Sequence, residues 1–156
     1  MPTRNTPGST PRHAGFSLIE LMTTVVIVAI LASIAVPTYT SQIRKSRRTE
    51  ARNAVLDLAG REERFYSTNN AYSSKPSDLG YSTVTTDTWT TVGTIGSGYY
   101  TIVAAVANNA STYIITATTA GIQTSDAQCA TFVVDQTGAQ SATGSGTNAT
   151  KDCWGN

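Results

Sequence analysis

The sequence predicts an α+β chain: a long N-terminal α-helix whose first half suits a membrane and whose second half packs against a small antiparallel β-sheet. Three observations carry this prediction. Residues 16–36 form an apolar run with a single charge, apolar residues then recur at helical steps from Tyr39 to Phe65 amid dense charge, and three runs rich in Thr, Val, Ile and Tyr lie between Tyr99 and Asp135.

With 156 residues, 40% of them hydrophobic, the chain is long enough for one modest core and too short for two enzyme domains. Only 13% of residues are charged, against roughly 25% in an average soluble domain. A net charge of +1 gives no overall field that demands a nucleic-acid partner. The charges are nevertheless segregated. Arg4 and Arg12 stand in a polar head, Glu20 is alone in the apolar stretch, and a dense cluster runs from Arg44 to Arg64. Beyond it Lys75 and Lys151 face Asp78, Asp87, Asp126, Asp135 and Asp152.

Phe16 to Val36 reads FSLIELMTTVVIVAILASIAV, close to the roughly 20 residues that cross a hydrocarbon core of about 30 Å. A secretory signal has a shorter apolar stretch, about 7 to 15 residues, ending at a small-residue cleavage site. Ser33-Ile34-Ala35 is a poor site of that kind and the apolar run continues into Pro37, so a retained anchor is the better reading. Glu20 is the anomaly. A carboxylate in mid-bilayer costs roughly 2.5 to 3.5 kcal/mol, less near the edge, where Glu20 could simply sit among headgroups. If the chain were cut before Phe16, Glu20 would fall in the first helical turns, where the helix dipole favours an anion and a new α-amino group could pair with it.

The segment Ala14-Gly15-Phe16-Ser17-Leu18-Ile19-Glu20-Leu21 closely resembles the prepilin processing motif of type IV pilins. That resemblance implies cleavage between Gly15 and Phe16 by a membrane prepilin peptidase, N-methylation of Phe16, and pairing of Glu20 with the amino terminus of a neighbouring subunit during assembly. Residues 1–15 would be the leader. Without Arg4 and Arg12, nine basic side chains face ten acidic ones, a net charge of −1. Orientation is contested: Arg44, Lys45, Arg47 and Arg48 outnumber Arg4 and Arg12, so the positive-inside rule would leave the body in the cytoplasm. The resemblance implies the reverse, with a cytoplasmic N-terminus, insertion in the bacterial inner membrane, and an extracellular filament after assembly.

Pro37 removes a backbone donor and crowds the preceding turn, so a kink or loosening is expected there, although the helix need not end. The resemblance implies loss of helix around Ala32 to Val36 within the filament. Tyr39, Ile43, Ala51, Ala54, Val55, Leu58 and Phe65 then mark an amphipathic half spanning 37–66. Asp57 precedes Arg61 by one helical turn, the favourable order for an ion pair. Arg44, Arg48 and Arg52 share one helical face. They allow a nucleic-acid patch or, as the preferred reading, a juxtamembrane segment that meets lipid headgroups before assembly and acidic groups of neighbours after it.

Residues 67–98 are polar and turn-rich, with scattered aromatics at Tyr66, Tyr72, Tyr81 and Trp89, and resemble the αβ-loop of PilE-like pilins. Strands are expected over Tyr99–Ala107, Tyr113–Thr119 and Cys129–Asp135, so that 99–135 forms the sheet, with Asn108 to Ser111 as a hairpin connection. Cys129 and Cys153 are too few for a zinc site and form no Cys-x-x-Cys. In a body outside the cytoplasm they would form one disulfide, which the resemblance matches to a pilin D-region over 136–156, an arrangement that secretion pseudopilins generally lack. Two glycosylation-like triplets, at Asn109 and Asn148, are unremarkable in so Thr-rich a chain.

No enzyme, cofactor or metal is expected: the single histidine, His13, lies in the leader, and no phosphate loop, nucleophile elbow or carboxylate pair is present. The partners implied are other pilin subunits, the prepilin peptidase, the inner-membrane pilus assembly machinery and the membrane itself. The function implied is that of a pilus subunit serving adhesion, twitching motility or DNA uptake. Alternatives are a minor pilin that binds DNA or a surface ligand, and a type II secretion pseudopilin. DNA is not favoured, because the body beyond Arg64 carries more acid than base.

Overall fold

A computed structural model describes residues 15–81, 87, 89 and 98–155. The chain divides into two units, one up to Thr40 and one from Ser41 onward. A single helix, α1, covers Leu18–Asn69.

In the first unit α1 is helical without interruption through Pro37. Hydroxyls of this stretch turn back onto the backbone: Thr38 Oγ1 donates to the Ile34 carbonyl at 3.0 Å and Thr40 Oγ1 to that of Pro37 at 2.9 Å. These hydroxyls supply additional donors to carbonyls in the turns around Pro37, which has no N–H of its own to donate. Apolar side chains here are exposed all round, from Phe16 to Val36, because nothing within the unit can cover a helix that lacks a polar face.

In the second unit α1 carries a buried stripe of Ala51, Val55, Leu58 and Glu62. The helix stops where Asn70 adopts φ 53° and its N–H bonds the Tyr66 carbonyl at 2.8 Å, a left-handed cap that asparagine tolerates. A 3-10 turn, Pro76–Leu79, follows and is closed by Gly80 at φ 82°. A meander of β1 (Tyr100–Ala107), β2 (Thr112–Thr119), β3 (Thr131–Asp135) and β4 (Gln140–Thr143) forms one antiparallel sheet in that spatial order. A second 3-10 turn, Gly121–Ser125, joins β2 to β3, and a short helix, α2 (Ala149–Trp154), follows β4.

Alternation along the strands puts one face inward. Register aligns Ala104 with Ile115 and Ile102 with Ala117, and Ala117 in turn with Phe132. These residues, with Tyr100, Tyr113 and Val134, form one core with Ala51, Val55 and Leu58. Each large apolar side chain so buried contributes roughly 1.5 to 3 kcal/mol, while Ala51, Ala104 and Ala117 leave room for the rings. Edge contacts join Tyr100 to Phe132 at 5.9 Å and Phe132 to Trp154 at 5.7 Å. The aromatics that looked scattered in 67–98 belong to this core as well: Tyr72 and Trp89 are buried, with Tyr72 stacked on Tyr66 at 4.6 Å and edge-on to Tyr113 at 4.7 Å.

The helix and sheet agree with the expected fold class, with one addition. β4 was not foreseen, because its residues Gln140 to Thr143 carry no apolar alternation. It is held by pairing with β3, by Thr131 and Thr143 hydroxyls 2.7 Å apart, and by the Trp154 indole N–H donating to the Ser141 carbonyl at 2.8 Å. The segment after Asp135 is therefore ordered sheet and helix as well as loop. At the expected β1–β2 connection Asn108, Asn109 and Ala110 all have positive φ (52°, 53° and 62°). The carbonyl of Ala110 accepts the Tyr72 N–H at 2.8 Å, which offsets the cost of a left-handed alanine.

Candidate assembly and anchoring site

Gly15 and Phe16 precede the first turn of α1, and Phe16 is 83% exposed. A Cβ on Gly15 would meet nothing within 4 Å, so the fold itself does not require glycine there. Glu20 lies in the first helical turn, is exposed, and has no ion-pair partner among the described residues. Around it the helix reaches a mean hydropathy of 2.4 over a membrane-length window, none of it buried within the chain. Among the described residues the carboxylate thus has no cation and the apolar cylinder no cover, and in a nonaqueous surrounding a lone carboxylate is costly. Pro37 sits inside this helix.

The arginine row also makes contacts within the subunit that neither reading of the sequence foresaw. Arg48 grips Asp126 with two hydrogen bonds of 2.7 and 2.6 Å and reaches Gln128 at 3.0 Å. Arg47 stacks 3.7 Å over the Tyr99 ring and bonds Gln123 at 3.4 Å. Arg44 donates to Ser125 at 3.2 Å and Arg52 to the Trp154 carbonyl at 3.0 Å. These side chains thus fasten α1 to the β2–β3 turn and to α2 inside the same subunit. The signal was present as Asp126 between Gln123 and Gln128 in a Thr-rich body, but the partner of a long-range ion pair cannot be read from spacing along one helix. The expected Asp57–Arg61 pair is formed at 2.7 Å, and Arg61 also bonds the Leu79 carbonyl at 2.9 Å.

Cys129 and Cys153 are disulfide-bonded and buried, tying α2 to the start of β3. Glu62 went unnoticed in the sequence because its spacing matches the apolar stripe. It is fully buried, with one oxygen accepting the Ser73 N–H at 3.0 Å and the other unpartnered. Burial above all, with the charges of Glu63 and Asp78, pushes its pKa up to about 7. Glu63 accepts hydrogen bonds from the hydroxyls of Tyr72 at 3.0 Å and Tyr113 at 3.2 Å. Burial raises both tyrosine pKa values. Among the described residues no group of His, Cys, Asp and Glu is fit to hold a metal.

An unsatisfied apolar helix with one carboxylate in its first turn, continuing into a helix that backs a four-stranded meander with a disulfide-tied end, defines a pilin-class subunit. The prokaryotic N-terminal methylation motif matches residues 10–36. The chain belongs to the type IV pilins, in the family described as "Type IV minor pilin ComP, DNA uptake sequence receptor", which matches residues 37–133. Among curated relatives, the type IV major pilin protein PilA of Myxococcus xanthus is 37% identical over 71 residues, covering 46% of this chain and 32% of that protein. The fimbrial protein EcpC of Eikenella corrodens is 42% identical over 53 residues, covering 34% and 35%. The type II secretion system core protein G of Pectobacterium carotovorum subsp. carotovorum is 32% identical over 68 residues, covering 44% of each. The chain thus spans between about a third and under half the length of these relatives. A solved type IV pilin from Shewanella oneidensis matches with a TM-score of 0.47 and 20% identity, over 68% of this chain and 96% of that one.

Proposed function

We propose that this chain is a structural subunit of a type IV pilus, anchored in the inner membrane by residues 16–36 and polymerised into an extracellular filament. One observation carries the reading: a carboxylate, Glu20, with no ion-pair partner among the described residues, in the first turn of a helix whose apolar surface is exposed on every side. In the filament that surface is covered by the same helix of other subunits, and Glu20 pairs with the amino group of a neighbouring Phe16, created by cleavage after Gly15 and then methylated. Gly15 fits a requirement of the processing peptidase, since packing makes no demand for it. Loss of helix around Ala32 to Val36, ahead of Pro37, belongs to the assembled state, where neighbours can replace the lost backbone bonds. The body lies outside the cytoplasm, in keeping with its disulfide. The role is structural and needs no enzyme activity.

Glu20→Ala is expected to leave membrane insertion intact and to reduce the amount of subunit in sheared filaments, with Glu20→Asp intermediate. Normal incorporation of the alanine variant would overturn the role given to Glu20.

A second reading, a minor subunit that captures DNA, is favoured by the description of the matching family. Against it stand the ion pairing of Arg48 with Asp126 and the excess of acidic over basic side chains beyond Arg64. Saturable, salt-sensitive binding of duplex DNA by the full-length chain in detergent would promote this reading.

A further inference from the structure

We propose that the Gly121–Ser125 turn, with Arg44 and Lys45, is a membrane-surface contact: in the inserted subunit Ile122 enters the interfacial layer of an anionic bilayer and the basic side chains meet its headgroups. The proposal rests on the reading of residues 16–36 as the anchor.

Ile122 is 65% exposed, the most exposed large apolar side chain described from Ser41 onward. A single exposed isoleucine is ordinary, but this one is mounted rigidly. Gly121 enters the turn at φ 54°, and the next residue after Ile122, Gln123, is fully buried, donating to the Tyr100 hydroxyl at 3.2 Å and to Asp126 at 3.0 Å. Ser125 Oγ accepts from Arg44 at 3.2 Å and donates to the Ile122 carbonyl at 2.9 Å. With its neighbour held inward and its carbonyl tied down, Ile122 has no route into the core.

Chain length limits where Arg44 can be. Seven residues, 37–43, lie between Val36, the end of the apolar run, and Arg44, so eight steps of the chain separate the two. They span about 12 Å as helix and at most about 29 Å fully extended. Long basic side chains beginning there reach the headgroup layer that flanks a hydrocarbon core. Charge selects an anionic surface. Arg44 and Arg47 carry positive charge against the turn, Lys45 follows Arg44 in the chain and has no ion-pair partner among the described residues, and Asp126, just after the turn, is taken up by Arg48. An apolar side chain flanked by cations matches the chemistry of peripheral bilayer contacts.

The test places a nitroxide label on Ile122→Cys in the full chain, reconstituted in phosphatidylcholine vesicles with and without phosphatidylglycerol, and compares oxygen with nickel-complex accessibility. Labels on Val28→Cys and Thr137→Cys serve as apolar and aqueous references. The label at 122 is expected to read between the references in anionic vesicles and to move toward the Thr137 value without phosphatidylglycerol. Lys45→Ala should lower the immersed population about fivefold, the worth of one basic side chain near an anionic surface. A label at 122 as aqueous as that at 137 in both lipids, with 28 still apolar, overturns the surface contact alone. An aqueous label at 28 overturns the anchor and the contact with it.

Discussion

Arg48 and Asp126, 78 residues apart, are joined by a two-pronged ion pair at 2.7 and 2.6 Å, with side-chain exposures of 12% and 2%. Breaking such a buried pair from one side strands the other charge, which typically costs about 3 to 5 kcal/mol. Asp126→Asn is therefore expected to destabilise the body by about 3 kcal/mol in urea titrations of the detergent-solubilised chain followed by near-ultraviolet circular dichroism. Arg48→Lys, which keeps the charge but loses the fork, should fall between. Wild-type midpoints for both variants would remove the clamp from the account of the fold.

Glu62 gives the body a pH dependence of defined sign. Its pKa rises from 4.5 to about 7 on folding, chiefly through desolvation. Folded protein thus holds the proton after unfolded chains have released it, so the stabilisation is complete below about pH 4.5 and is lost as pH rises to about 7, levelling off above. The full swing is on the order of 3 kcal/mol. Glu62→Gln keeps an acceptor for the Ser73 N–H and should flatten this slope, making the variant the more stable form above pH 7. An unchanged slope would point to another group.

Replacing both Cys129 and Cys153 by serine opens a crosslink of 24-residue separation, which should cost about 2 to 4 kcal/mol. Loss is expected first at α2, read as faster hydrogen exchange at residues 149–154 than in β1 and β2. Uniform acceleration across the sheet would show instead that the bond stabilises the body as a whole.

Gly144 is required by contact and not by turn geometry. A Cβ there would drive into the backbone carbonyl of Gln128, which cannot rotate away as a side chain can. Gly144→Ala should therefore destabilise far more than Gly60→Ala, where nothing lies within 4 Å. Comparable midpoints for Gly144→Ala and Gly60→Ala would sink the argument.

Much of the fold was legible in the sequence because single-chain periodicity carries it: the helical steps through Val55 and Leu58, and the alternation that buries Tyr113, Ile115 and Ala117. β4 was not, since Gln140 to Thr143 owe their strand to backbone pairing and to Trp154 lying beside them. At the amino end, Glu20 stood out because a lone carboxylate in an apolar run is costly, and Phe16 through the resemblance of its segment to the prepilin motif. The contacts of the arginines within the subunit were not legible. A basic run says that charge is present but not where the compensating carboxylate lies, and Asp126 stands far along the chain.

The bond from Arg52 to the Trp154 carbonyl spans 102 residues. Trp154 also closes the aromatic line through Phe132, and its neighbour Cys153 completes the disulfide. Nearly all of the chain must therefore be delivered before the amphipathic half of α1 gains its full set of partners. Until that moment the nascent chain exposes both the apolar helix of residues 16–36 and an uncovered sheet face. A tag or truncation near Trp154 would act on the order of folding as much as on the finished body.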